Sequence, residues 1–147
     1  MIRFAAFALA ALSGAAAAHV TIWPKESIAG AHEKYEVRVP NEKDSDTVSI
    51  EVRFPAGLRV TSFEQKPGWM TEPVRDPSGS IIGVRWTGSL APHQFTEFGL
   101  LAVNPAGAAD LGWTAVQTYA DGTKVEWSGP AGSKAPAPHV IIRPAAR

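Results

Sequence analysis

The chain has 147 residues, with 14 Lys and Arg balanced by 14 Asp and Glu, four His and no Cys. The length suits a single domain, and a hydrophobic fraction of 45% supplies a core, which excludes intrinsic disorder of the whole chain. A formal net charge of +0 gives no electrostatic reason to expect nucleic acid or an anionic membrane surface as partner. Without Cys, disulfides, thiolate nucleophiles and Cys-ligated metal sites are excluded.

Residues 1–18 have the pattern of a secretory signal peptide. Arg3 precedes a short apolar run, and Ala16 and Ala18 form an A-x-A cleavage pattern. The run is shorter than the roughly 20 residues that a membrane-spanning helix needs, and no later stretch approaches that length, so we expect no membrane span in the mature chain. Cleavage after Ala18 would make His19 the first residue of a periplasmic or secreted protein.

The mature chain shows the two-residue alternation of half-buried strands. Apolar residues share one parity in segments 35–39, 48–54 and 82–86, whereas segment 95–103 is apolar on both parities, which favours a strand covered on both faces. Asp121-Gly122 separates two further apolar segments and is a strong hairpin signal. Many short strands punctuated by Gly and Pro predict an all-β domain, an antiparallel β-sandwich or barrel.

The composition changes after Gly129, where Pro, Ala, Gly and Ser become frequent. We expect a flexible or polyproline C-terminal tail, in which Val140, Ile141 and Ile142 are compatible with a short edge strand before Pro144. The expected organisation is a signal peptide at 1–18, a β-domain at 19–129 and a tail at 130–147.

The first candidate site is the new N-terminus itself. His19 would offer a free α-amine and imidazole Nδ1, which can chelate one metal ion in a single ring. An α-amine has a pKa near ~7.7–8 and an imidazole near ~6.5, so both nitrogens lose their protons at mild pH. Nitrogen ligands in tetragonal geometry favour Cu(II), and a mature chain with one Met and no Cys offers little to Cu(I). The alternative is a terminal residue that is His by coincidence.

Glu33, at the start of the second predicted strand, is the candidate third ligand if the first two strands lie side by side. Its neighbour His32 competes for the role, but adjacent strand residues point to opposite faces, so both should not face one metal ion. A lone Glu is more often a solvated surface charge. The five Trp residues are mainly expected in core packing, and Trp127, close after the Asp-Gly hairpin, is the one considered for the side of a site.

The sequence resembles the YcnI-like copper-binding proteins, a family first catalogued as a domain of unknown function. The matching segments are HVTIWPKESIAG (19–30), YEVRVPNE (35–42), TVSIEVRFPAG (47–57), KPGWM (66–70), VRWTG (84–88), FTEFGL (95–100) and QTYADGTKVEWSG (117–129). The resemblance implies an extracytoplasmic β-sandwich of the immunoglobulin or cupredoxin kind that binds Cu(II) through a single-histidine brace. In that family the N-terminal His supplies its amine and imidazole, an acidic residue early in the second strand completes the ligands, and a Trp lies beside the metal. The matching positions are His19, Glu33 and Trp127.

Three functions compete at this stage. The leading hypothesis is a non-enzymatic Cu(II)-binding protein of the cell envelope that acts in copper trafficking or homeostasis, with other envelope copper-handling proteins as partners. The second is a copper-dependent oxidative enzyme of the polysaccharide-oxidising kind, which would need a second His from among His32, His93 and His139. The third is a metal-free interaction module. G-x-S-x-G, H-E-x-x-H and phosphate-binding glycine motifs do not occur in the sequence.

Overall fold

The structure is a computed structural model that describes residues 18–147. The predicted signal peptide, apart from Ala18, therefore lies outside the described residues. Within the described range the secondary structure consists of twelve strands. In chain order these are β1 Thr21–Trp23, β2 Glu26–Ile28, β3 His32–Pro40, β4 Thr47–Arg53, β5 Arg59–Phe63, β6 Met70–Arg75, β7 Ile81–Leu90, β8 Phe95–Val103, β9 Ala109–Gly112, β10 Thr114–Tyr119, β11 Lys124–Trp127 and β12 His139–Arg143. A search of residues 18–147 finds no helix with the length and apolarity needed to cross a membrane.

The strands form three sheets, ordered β1-β3-β8-β5, β11-β10-β4-β7-β6 and β2-β12-β9. All neighbouring pairs are antiparallel except β12 with β2. The predicted hairpin is present, since β10 and β11 pair across Asp121-Gly122 and Gly122 has a φ of 85°. Glycine adopts this left-handed conformation without the steric cost that a side chain would add.

The core lies between the two larger sheets and is rich in aromatic side chains. Trp86 on β7 stacks on Phe98 of β8 with ring centroids 4.5 Å apart. Tyr35 on β3 meets the edge of Trp113, which precedes β10, at 5.5 Å. Tyr35, Trp86 and Trp113 are 0% exposed. Large apolar rings from both sheets thus supply the buried area that holds a β-sandwich together, which confirms the predicted fold class.

One face of strand β8 is more exposed to solvent than its sequence pattern predicted. It lies inside its sheet, between β3 and β5, and buries Phe98 and Leu100. Its other face exposes Phe95 by 63% and Leu101 by 50%. The sequence pattern suggested cover on both faces, but no described strand packs over this outer side.

The C-terminal segment is part of the sandwich, which corrects the tail expected at 130–147. Strand β12 lies in the middle of its sheet, with β2 on one side and β9 on the other, and is not an edge strand. Val140 and Ile142 point into the core with 0% and 2% exposure. The Pro- and Ala-rich residues before β12 form a connection that is itself hydrogen-bonded, since Gly129 exchanges backbone bonds with Ala135 and Ala137. The domain therefore extends to Arg143.

Ile142→Ala is expected to lower the free energy of unfolding by about 2–5 kcal/mol, because it leaves a cavity in a packed core. The measurement is urea-induced unfolding of the mature chain. Ile141→Ala is the matched control on the same strand, since Ile141 is on the alternate face and only half-buried. Equal costs for the two variants would contradict the placement of β12 in the core.

Candidate metal centre

The register of the first sheet fixes where the mature N-terminus lies. β1 pairs antiparallel with β3, with Thr21 opposite Arg38 and Ile22 opposite Val37. The beginning of β1 therefore lies beside the end of β3. His19, two residues before β1, comes next to Pro40, the last residue of β3.

A carboxylate stands at this end of the sheet. The backbone N–H of Ala18 donates to Glu42 Oε1 at 3.0 Å. The nitrogen of His19 follows one residue later, and successive Cα atoms are about 3.8 Å apart. Glu42 is thus placed at the predicted cleavage point, which the sequence reasoning did not foresee.

The loop that carries Glu42 is held by a buried amide. Asn41 is 1% exposed, and its Nδ2 donates to the carbonyl oxygens of Ser45 at 2.9 Å and Leu90 at 3.0 Å. Its Oδ1 accepts from the backbone N–H of Lys43 at 3.0 Å. A buried amide that has formed its hydrogen bonds resists displacement, because moving it would leave polar atoms without partners. Asn41 thereby fixes the position of the neighbouring Glu42.

Trp127 lies against His19, with ring centroids 5.6 Å apart and an angle of 53° between the planes. The structure thus brings together two of the three residues expected at the site. Trp127 is 7% exposed and its Nε1–H donates to Oε1 of Gln117 at 3.1 Å. Gln117, itself 0% exposed, donates through Nε2 to the Pro40 carbonyl at 2.9 Å and to Thr47 Oγ1 at 2.8 Å. This chain of bonds ties the Trp127 ring to the end of β3.

An open pocket of about 250 Å³ lies here, lined by Ala18, Pro40, Glu42, Lys43, Tyr119, Val125, Trp127, Lys134 and Ala135. Lys43 Nζ sits 4.6 Å from the centre of the Tyr119 ring. Burial raises the pKa of Tyr119 above its ordinary value, so the phenol is neutral at neutral pH in the metal-free protein. Glu42 is the acidic residue that lines this pocket.

Glu33 lies at the other end of β3 and is not brought to His19. β3 has nine residues, so its ends are roughly 26 Å apart at about 3.3 Å per residue. Glu33 Oε2 accepts a hydrogen bond from Ser27 Oγ at 2.6 Å, and Ser27 Oγ in turn accepts from Asn104 Nδ2 at 2.8 Å. The sequence suggested that Glu33 lies close to His19, and the structure does not place it there. An antiparallel neighbour brings the strand's end, not its start, to the N-terminus.

The other histidines do not line the pocket that contains Trp127 and Glu42. His32 lies opposite Val103 at the far end of β3, and His139 Nδ1 lies 2.6 Å from Asp110 Oδ1 beside β9. His93 lies in the connection between β7 and β8. Within residues 18–147, no group of three or more His, Asp or Glu side chains is already arranged to hold a metal ion.

Comparison with solved structures defines the class of fold as an immunoglobulin-like β-sandwich. A protein from Nocardia farcinica, described as uncharacterized and immunoglobulin-like, matches with a TM-score of 0.73 and 28% identity, covering 84% of this chain and 97% of that one. A cohesin module from Clostridium perfringens matches with a TM-score of 0.57 and 14% identity, covering 86% of this chain and 97% of that one, and supports the fold alone.

The chain belongs to the family described as Domain of unknown function (DUF1775), whose model matches residues 19–146. It is also 37% identical over 128 residues to the copper-binding protein CutI of Bacillus subtilis (strain 168). That alignment covers 86% of this chain and 62% of CutI, so the chain spans less than two thirds of its relative's length. The resemblance to YcnI-like copper-binding proteins is confirmed. The matched region begins at His19, where the mature chain is predicted to start.

Trp127→Phe is expected to destabilise the metal-free protein by about 1–3 kcal/mol, because Gln117 Oε1 is buried and loses its hydrogen-bond donor. Denaturant unfolding checks this. Trp23→Phe serves as the control, since Trp23 is 38% exposed and its Nε1–H donates to Thr21 Oγ1 at the surface. A cost for Trp127→Phe no larger than that of Trp23→Phe would contradict the role of the buried bond.

Proposed function

We propose that the mature protein binds one Cu(II) through three groups: the His19 α-amine, His19 imidazole Nδ1 and the Glu42 carboxylate. The observation that carries this proposal is the 3.0 Å contact between the Ala18 nitrogen and Glu42 Oε1. Removal of Ala18 takes away the partner of that carboxylate and creates an amine one residue along the chain. The exposed end of the sandwich then presents two nitrogens and one oxygen, with the Trp127 ring at their side.

The donor chemistry of this set suits Cu(II). Imidazole nitrogen suits copper and zinc, and oxidised copper favours nitrogen and oxygen ligands in tetragonal geometry. The name of the relative CutI, a copper-binding protein, supports copper as the ion. Water would complete the coordination at this open pocket.

A binding and carrying role in copper trafficking, outside the cytoplasm, fits these features. The chelate exists only after export and cleavage, because a peptide nitrogen within the uncut chain lacks the free lone pair of an amine. An oxidative copper enzyme of the kind considered above needs a second imidazole on the same ion. His32 and His139 lie elsewhere on the sandwich, and His93 is not among the residues that line the pocket with Trp127 and Glu42, so the geometry favours a carrier.

Titration of the purified mature chain with Cu(II) tests the proposal. We expect saturation at one equivalent, with quenching of Trp fluorescence because Trp127 lies beside His19. A chain in which His19 is replaced by Ala keeps the amine but loses the imidazole and should lose this tight phase. A tight phase that survives His19→Ala would overturn the proposed ligands.

Cu(II) affinity is expected to fall on acidification and on reduction. Protons compete with the metal for the amine and imidazole lone pairs, so the apparent affinity must drop as pH falls, most steeply below ~6.5, where imidazoles take up protons. Cu(I) prefers thiolate and thioether ligands, and the proposed site has neither. Competition against a Cu(II) chelator between pH 5 and 8, and against a Cu(I) chelator after reduction, measures both effects. Equally tight retention of Cu(I) would contradict release on reduction.

A further inference from the structure

The connection between β7 and β8 carries an unusual backbone residue at the same end of the sandwich. His93 has a φ of 61°, and among residues 18–147 it is the one non-glycine residue with a positive φ. This left-handed conformation is sterically unfavourable for a residue with a side chain, and such residues cluster at functional sites. The conformation has to be held by its surroundings.

Two backbone hydrogen bonds hold it. The N–H of His93 donates to the carbonyl of Asn41, and the N–H of Asn41 donates to the carbonyl of Gln94, both at 2.8 Å. Asn41 is the buried residue that also fixes Glu42. His93 is thereby clamped beside the loop that carries the proposed copper ligand.

A second pocket adjoins Glu42. It has a volume of about 290 Å³, and Ala18, Glu42, His93 and Phe95 are among the residues that line it. Glu42 also lines the pocket that contains Trp127, so the two pockets share this carboxylate. Phe95 is 63% exposed and gives the second pocket an apolar border.

His93, which lines the second pocket, lies near a carboxylate outside that pocket. His93 Nε2 lies 3.9 Å from Asp44 Oδ1, and both side chains are open to solvent. This distance is too long for a hydrogen bond. It is compatible with two ligands of one ion, because metal–nitrogen and metal–oxygen bonds of about 2.0–2.2 Å allow donor separations up to about 4 Å. Imidazole and carboxylate together suit Cu(II) and Zn(II).

We propose that His93 and Asp44 form a second, weaker site for a divalent metal ion beside the His19 and Glu42 site. It is weaker because it offers two protein donors on separate, exposed side chains and no chelate ring. We further propose that copper passes through it on the way to or from His19, a role that rests on the proposed function above. Metal binding at His93 does not depend on that function.

The test is an isothermal titration of the mature chain with Cu(II). We expect one tight phase that saturates at the first equivalent and a second, weaker phase that follows it. His93→Ala should abolish this second phase. His139→Ala is the matched control, because His139 also lies beside a carboxylate, Asp110, but outside both pockets, and it should leave the second phase intact.

The outcomes separate the two proposals. A second phase that is absent, or that is lost in His139→Ala and kept in His93→Ala, would overturn the His93 site even when the first phase is normal. A mature chain whose His19 amine is acetylated cannot form the chelate, and there the weaker phase should persist and still depend on His93. Loss of the first phase alone in the mature chain would count against the proposed function and leave the His93 site standing.

The proposed passage of copper through the His93 site is tested separately, by the rate at which copper leaves the protein. Extraction of bound Cu(II) from the mature chain by excess EDTA should be slower in His93→Ala than in His139→Ala, with the affinity of the first phase unchanged in both. Equal extraction rates for the two variants would overturn the transfer role.

Discussion

Glu42→Gln is expected to weaken Cu(II) binding by about 100-fold or more, whereas Glu33→Gln leaves it unchanged. Residues that merely support metal ligands typically contribute 10–100-fold to affinity, so a direct anionic ligand should contribute at least the upper end of that range. Glu42 contacts the chain at the cleavage point, while Glu33 is bonded to Ser27 at the opposite end of β3. Isothermal titration of the two mature variants measures the difference.

The comparison between the two substitutions is internally controlled. Both remove one negative charge, so a general electrostatic effect would weaken binding in both variants. Unfolding curves should show Glu33→Gln as the more destabilised of the two, because it disturbs the polar network with Ser27 and Asn104. If Glu33→Gln instead abolished binding and Glu42→Gln did not, the proposed ligand set would be refuted.

A mature chain whose His19 α-amine is acetylated is expected to lose tight Cu(II) binding. The amine becomes an amide, the chelate ring cannot form, and one imidazole with one carboxylate remains. The loss should be of the same order as that of Glu42→Gln, about 100-fold, because a direct ligand is removed in each case. Electron paramagnetic resonance at one equivalent of Cu(II) reports the change in nitrogen coordination. An unchanged spectrum would contradict the proposed chelate of the His19 amine and imidazole.

Local sequence patterns predicted much of this fold correctly. Alternation of apolar residues in 35–39 reappears as the inward face of β3, and the Asp-Gly turn joins β10 to β11. These signals depend on neighbouring residues alone, since side chains in a strand alternate between faces. The central position of β12 could not be found in this way, because its short apolar stretch follows a Pro- and Ala-rich segment that is typical of a tail.

The candidate site was only partly predictable, because its assembly depends on strand register. The cleavage pattern pointed to His19, and the resemblance pointed to Trp127, which the structure places beside it. The resemblance pointed to Glu33, which lies at the opposite end of β3 from His19, because side-by-side pairing was considered without its antiparallel direction. Glu42 lies within a segment that carried the resemblance, VPNE, and antiparallel pairing of 19–23 with 36–40 would have pointed to it.

Gln117 was also missed, although the sequence holds a signal for it. It shares its parity in β10 with Ala115 and Tyr119, which are both buried, so a polar residue stands on an apolar face. A buried amide of this kind requires partners, and here these are Trp127, Pro40 and Thr47. A polar residue at an inward-facing position of a strand was therefore the sequence signal for the hydrogen bonds that hold Trp127 in place.

A crystal structure of the mature chain loaded with one equivalent of Cu(II) would show which atoms bind the metal. We expect a single copper ion bound by the α-amine and Nδ1 of His19 and by the Glu42 carboxylate, with the Trp127 ring beside it. Copper bound at Glu33, or at the His139 and Asp110 pair, with His19 free of metal would contradict these ligands.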